Sequence, residues 1–222
     1  MENIMPAPLR QIAYTKFRES LFEQSLKPGQ FVSQRELCNL LDLPMGAVRE
    51  ALKRLEADGL ISLIAQRGIQ IADVNVKFIN EAFEFRILIE SEAARRMATD
   101  PDRAALNDLR SRTTDTIEQA EDDSSAELLQ KGLDVDLELH ALLIGVFSNE
   151  LIHESYRLLE DKIRLIRLNG KYTSKRLKVA MLEHIEIIDA ILEGNEEAAV
   201  KALRNHLSTS WRRSLGQPED FS

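Results

Sequence analysis

The stretch DLPMGAVREALKRLEADGL, residues 42–60, has the spacing of a short helix with a marked start and stop. Pro44 suits a first helical turn, where a missing backbone N–H costs nothing. Val48, Ala51, Leu52 and Leu55 recur at the period of one helical face and predict an inner stripe. Gly59 ends the run. Met45, Arg49 and Lys53 share another face, one turn apart. An amphipathic helix with outward cations is what a helix-turn-helix sets into the major groove of DNA.

The residues on either side extend that pattern. Ser33 opens S-Q-R-E with Glu36 in fourth place, a capping box that starts another short helix ending near Asp42. Pro28-Gly29 breaks the chain before it. Residues 9–25 carry Leu9, Ile12, Ala13, Phe17, Leu21 and Phe22 at helical spacing. Downstream, LISLI (60–64) and GIQIADV (68–74) are β-branched runs joined through Ala65-Gln66-Arg67. They predict a two-stranded wing with its tip at Arg67-Gly68. Helix, helix, tight turn, helix, hairpin is the order of a DNA-binding winged helix-turn-helix; a generic α/β packing unit is the alternative.

From Lys77 onward no strand pattern occurs, and six helices are predicted at about 77–98, 101–120, 124–147, 149–168, 173–193 and 195–215. Amphipathic helices joined by short turns imply a compact bundle. The expected fold class is therefore mainly α, with a winged helix-turn-helix over residues 1–75 and an all-α domain over 76–222. The last residues, 216–222, are expected to fray.

Charge divides along the same line. The 222-residue chain carries a net −8, yet residues 1–75 hold nine basic and nine acidic side chains, against 20 and 28 in the remainder. DNA contact is decided by local field, so it belongs in the first third. No run of about 18 apolar residues suits a membrane span. MENIMPAPLRQ at the start lacks a secretory pattern. The single cysteine, Cys38, excludes an intramolecular disulfide and fits a reducing cytoplasm. Its leucine neighbours predict a small buried hydrophobe rather than a reactive thiol.

Residues 26–74 resemble the N-terminal domain of the GntR family of bacterial transcription regulators. The resemblance rests on Pro28-Gly29, the REL of 35–37, VREAL (48–52), RLEADGL (54–60) and Arg67-Gly68. It implies that Arg35 contacts phosphate or base, that Arg49 enters the major groove and that Arg67 and Gly68 enter the minor groove. Arginine suits this work as a bidentate donor, and glycine permits close backbone approach. Lys53, on the face of Arg49, is placed to touch phosphate, whereas Arg54 points elsewhere as a solvated or interdomain charge. Relatives carry Ser-Arg-Thr-Pro where this chain has Pro44-Met45-Gly46-Ala47. A base-reading arginine is thus replaced by Met45 and a phosphate-binding hydroxyl by Gly46. Each lost bidentate contact removes about 1–3 kcal/mol of discrimination, so the operator does not carry over from relatives. Gly46 leaves its backbone open to a phosphate and Met45 offers contact to a thymine methyl; the alternative is that both stand clear of DNA.

Four histidines, His140, His153, His184 and His206, all lie in the helical part. Asp136 and His140 are four residues apart on one helix and converge. His184 and His206 sit among apolar residues on two later helices. Asp136, His140, His184 and His206 make a four-ligand set for a first-row transition metal; hydrogen-bonded core or surface histidines are the alternative. Residues 77–215 are similar to the FCD domain, the six- or seven-helix effector domain of a GntR subgroup. The D-x-x-x-H of 136–140, the E-H of 183–184 and the N-H-L around His206 match its metal pattern, with Leu139 in place of the usual aromatic. The resemblance implies zinc first, with nickel and manganese as alternatives. His153 fits no ligand position and is expected to be structural or exposed. Glu138 and Glu183, adjacent to ligand positions, are expected in solvent.

The same resemblance places Arg86, in EFRILIESEAARRMA (84–98), in the cavity beside the metal, facing the carboxylate of a small organic acid. A salt bridge to Glu90 one turn on is the alternative. The expectation is an effector-controlled, cytoplasmic, homodimeric regulator of double-stranded operator DNA, with no membrane association. The alternatives are a regulator that senses the metal itself and a helical-bundle metalloenzyme. The latter lacks an acid–base carboxylate pair, a nucleophile motif and a phosphate loop, so no catalytic residue is named and no enzyme is expected.

Overall fold

The computed structural model describes residues 8–23, 25–121, 123–168, 170 and 173–217. The expected fraying at 216–222 falls largely outside them, as does most of the N-terminal segment read for a secretory pattern. Among the described residues the chain forms two compact units, Met1–Phe78 with Glu160–Asn169, and Ile79–Leu159 with Gly170–Ser222.

The first unit contains α1 (Leu9–Phe22), β1 (Phe31–Val32), α2 (Gln34–Leu41), α3 (Met45–Ala57), β2 (Ile61–Ile64) and β3 (Gly68–Ile71). The capping box is formed: Ser33 Oγ accepts from Glu36 N at 3.2 Å and Glu36 Oε2 accepts from Ser33 N at 2.6 Å. The inner stripe of α3 is Val48, Ala51, Leu52 and Leu55, all buried. It meets Ala13, Phe17 and Leu21 of α1, Ile69 and Ile71 of β3, and Leu165. Leu9, expected inside, is exposed, while Tyr14 is buried and donates to Asp58 Oδ2 at 2.6 Å. A polar tip is why Tyr14 escapes an apolar pattern yet serves the core. Burial pushes its phenol up to about 12, and the Asp58 carboxylate adds to that. Cys38 is half-buried rather than buried, because Leu37 and Leu41 occupy the inner face of the eight-residue α2.

The wing has three strands instead of two, in the order β1-β3-β2, all antiparallel. Val32 pairs with Ile69 and Phe31 with Gln70. A two-residue strand has no periodicity to detect, and its partner lies more than thirty positions on. Gly68 has φ +99°, and a Cβ there would sit 2.9 Å from the Val32 carbonyl oxygen, so β1 closes onto β3 only over glycine.

Helices α4 (Val76–Thr99), α5 (Arg103–Gln119), α6 (Ala126–Ile144), α7 (Glu150–Leu168), α8 (Ser174–Leu192) and α9 (Glu196–Ser214) follow. All but the last turns of α7 and the start of α4 lie in the second unit. Side-chain caps start four of them, at Asp102, Ser125, Thr173 and Asn195. Within the bundle α8 packs on α9, α5 and α6. At Gly132 of α6 a Cβ would lie 2.2 Å from Leu177 Cδ1, so this glycine lets α6 and α8 approach. That close approach brings the polar residues of α6 and α8 within reach of each other.

Candidate metal centre and nucleic-acid interface

Arg35, Gly46, Arg49, Lys53, Arg67 and Gly68 are all exposed, on α2, on α3 and at the β2–β3 turn. Arg49 Nε donates to Gln34 Oε1 at 3.1 Å, which ties the outer faces of α3 and α2. Lys53 pairs with Glu50 at 2.8 Å, an exposed contact that a phosphate could replace at little cost. The Arg67 guanidinium lies 4.4 Å from the centre of the Phe31 ring, a stacking that holds the wing-tip cation. A Cβ on Gly46 would meet nothing within 4 Å, so the start of α3 is open. Met45 lies beside it, its sulfur 3.7 Å from Cys38 Sγ. Arg54 is exposed, as a solvated charge would be, and its contacts lie within the first unit: it donates to Gln11 Oε1 at 2.9 Å and lies 4.0 Å from the Tyr14 ring centre.

The second unit brings Asp136, His140, His184 and His206 together, with one potential ligand atom from each all within 4.8 Å of one another. α6 supplies the first two, one turn apart, α8 the third and α9 the fourth. All four are buried, at 4%, 3%, 0% and 2% exposure. Asp136 Oδ1 is 3.4 Å from His184 Nε2 and 4.0 Å from His140 Nε2. His184 Nε2 is 3.4 Å from His206 Nε2. Bonds of about 2.0–2.1 Å to a tetrahedral ion separate its ligand atoms by about 3.4 Å, so the spacing fits a transition metal.

The protons fit as well. His140 Nδ1 lies 2.7 Å from Glu90 Oε2 and His206 Nδ1 lies 2.8 Å from Glu183 Oε2. A carboxylate only accepts, so both histidines carry their proton on Nδ1 and present an Nε2 lone pair. His140 Nε2 is buried and has no hydrogen-bond partner. A buried acceptor left bare costs roughly 1–3 kcal/mol, which a bound cation would offset. Burial pushes the His206 imidazole down to about 3, so His206 is neutral and its contact with Glu183 is a hydrogen bond rather than an ion pair.

Arg86 forms the expected alternative, a salt bridge: its Nε donates to Glu90 Oε1 at 2.6 Å. Its Nη1 is nevertheless buried with no partner. Burial opposes both charges. Each holds the other ionised, with Arg86 raised above its ordinary value by Glu90 and Glu90 held below the carboxylate range by Arg86 and His140. Two residues contradict or extend the sequence expectations. Glu183 was expected in solvent but turns toward α9, because the position before His184 faces His206 across the α8–α9 contact. Tyr156, which no motif marks, donates to Glu90 Oε1 at 2.9 Å. Glu138 does stay outside, where it pairs with Arg112. His153 bonds the Phe147 carbonyl at 2.7 Å, a structural role.

Two family profiles match the chain. The FCD domain covers residues 81–209, and the bacterial regulatory proteins of the gntR family cover residues 9–71. The HTH-type transcriptional regulator YdhC of Bacillus subtilis is 24% identical over 208 residues, 91% of this chain and 89% of that one. A GntR transcriptional regulator structure from Rhodococcus sp. RHA1 has the same fold, with a TM-score of 0.73 and 22% identity over 95% of this chain and 99% of that one. The Zn2+-bound FCD domain of TM0439 superposes with a TM-score of 0.52 and 27% identity over 64% of this chain and 94% of its own. No described helix is long and apolar enough to cross a membrane. The chain belongs to the gntR family of bacterial regulatory proteins, as a DNA-binding transcription regulator with an FCD domain.

Proposed function

We propose that this regulator is switched by a small organic acid bound beside a divalent metal in the helical unit. The observation that carries the proposal is the bare, buried Nε2 of His140 beside Asp136, His184 and His206. These four residues would hold the ion, with zinc first because an FCD relative is Zn2+-bound, and nickel or manganese as alternatives. The ion would supply a Lewis-acid anchor for a carboxylate. Arg86 Nη1 is the buried donor that would take the acid's other oxygen. On the DNA side, Arg49 and Arg35 read base and phosphate, Lys53 and the backbone of Gly46 meet phosphate, and Arg67 and Gly68 enter the minor groove. The protein works as a cytoplasmic homodimer on two half-sites.

Gel retention on duplex selected by the full chain from a random pool tests this. Retention is expected to change with at least one of a panel of metabolite carboxylates and to lose that response after chelation. Retention that stays constant across the panel, with and without metal, overturns effector control. A second reading is favoured by the Arg86–Glu90 pair, which already satisfies Arg86 Nε: the metal itself is the signal. A strong response to free zinc, nickel or manganese with no organic acid present supports that reading instead.

A further inference from the structure

Glu90 is fully buried on α4, and three donors from three helices converge on it. Arg86 Nε reaches Oε1 at 2.6 Å and the Tyr156 hydroxyl reaches the same oxygen at 2.9 Å. His140 Nδ1 reaches Oε2 at 2.7 Å. A counterion for Arg86 alone would need only the first contact. The other two fix the plane of the carboxylate, and the third determines which nitrogen of His140 carries the proton. With Nδ1–H committed to Glu90, the Nε2 lone pair of His140 can point only at Asp136, His184 and His206. That nitrogen is buried without a hydrogen-bond partner.

We propose that Glu90 is a positioning residue of the metal centre and acts through His140. It holds the imidazole in the Nδ1–H tautomer and raises its basicity as a ligand, while Arg86 Nε and the Tyr156 hydroxyl hold the carboxylate in place. One carboxylate thus joins the four-residue cluster to Arg86. Removing it weakens the metal through His140 and releases the Arg86 guanidinium. The inference rests on the metal reading above and assigns Glu90 a role within it.

The test is zinc affinity of the full chain, measured by competition with a chromophoric chelator, together with the visible spectrum of the cobalt(II) form. Glu90→Gln alone strands the buried Arg86 charge and can unfold the protein. The double variant Arg86→Met, Glu90→Gln removes both charges, leaves the net charge of the cluster unchanged and avoids a stranded ion. Zinc affinity of the double variant is expected to fall about 10–100-fold, with a weaker, shifted cobalt band. In a His140→Ala background the same two substitutions are expected to change zinc affinity little, because the ligand through which Glu90 acts is gone. Glu90→Gln alone is read in the same way wherever circular dichroism shows it folded. An equal loss in both backgrounds, or lower thermal stability with zinc affinity unchanged, overturns the positioning role and leaves the metal reading standing. A wild-type chain that takes up neither zinc nor cobalt overturns both.

Discussion

The two candidate sites use charge in opposite ways. The candidate nucleic-acid face keeps Arg35, Arg49, Lys53 and Arg67 in water, where Arg49 and Lys53 have weak partners and Arg67 has a ring to rest on. The cluster of the helical unit buries one aspartate, three histidines, Arg86 and Glu90 almost completely. An exposed cation costs little to keep and little to lose, so binding energy is spread over many contacts and falls with salt. A buried donor or acceptor must be matched, so each member of the cluster depends on the rest. The outer site is therefore additive and the inner site behaves as one unit.

Removing a ligand should give the largest effect. His184→Ala is expected to lower zinc affinity by more than the roughly 10–100-fold typical of a lost partner behind a ligand. Chelator competition measures it, and a loss under tenfold would break the contrast. On the outer site, Arg49→Ala is expected to cost about 1–3 kcal/mol of discrimination between selected and scrambled duplex. Met45→Ala is expected to cost within about 0.5 kcal/mol, as for an ordinary surface change. Equal losses from the two would put base reading back at the start of α3. The wing sharpens the comparison, since Gly68→Ala drives a Cβ against the Val32 carbonyl at positive φ. It should destabilise the first unit by more than about 1 kcal/mol in urea while zinc affinity holds. The cap gives a smaller loss of stability than the wing: Ser33→Ala should cost about 1 kcal/mol in the same urea titration. If either variant weakens zinc binding, the two sites are not separate in the way their burial implies.

Much of the fold could be read from the chain because it is carried by local signals. The stripe Val48, Ala51, Leu52, Leu55 and the box Ser33–Glu36 name their helices within one or two turns. Asp136 and His140 are legible for the same reason, since four residues on a helix are neighbours in space. β1 was not, because its two residues are strand only where β3 lies beside them. Leu9 was misplaced because helical period identifies a face but not where along it the core ends. Glu183 was misplaced for a related reason: adjacent helix positions point apart, but a third element, α9, can occupy the direction assigned to solvent.

By itself the sequence determined the helices, the wing turn and the nearness of Asp136 to His140 on α6. These follow from periodicity and caps, both of which act over a few residues. Only the tertiary structure decided that Glu90 answers to Arg86, His140 and Tyr156 together, and that Glu183 turns inward to His206. Hydrogen bonds between helices depend on the distance and rotation of packed elements, and those are set by bulky and small residues elsewhere, such as Leu177 against Gly132.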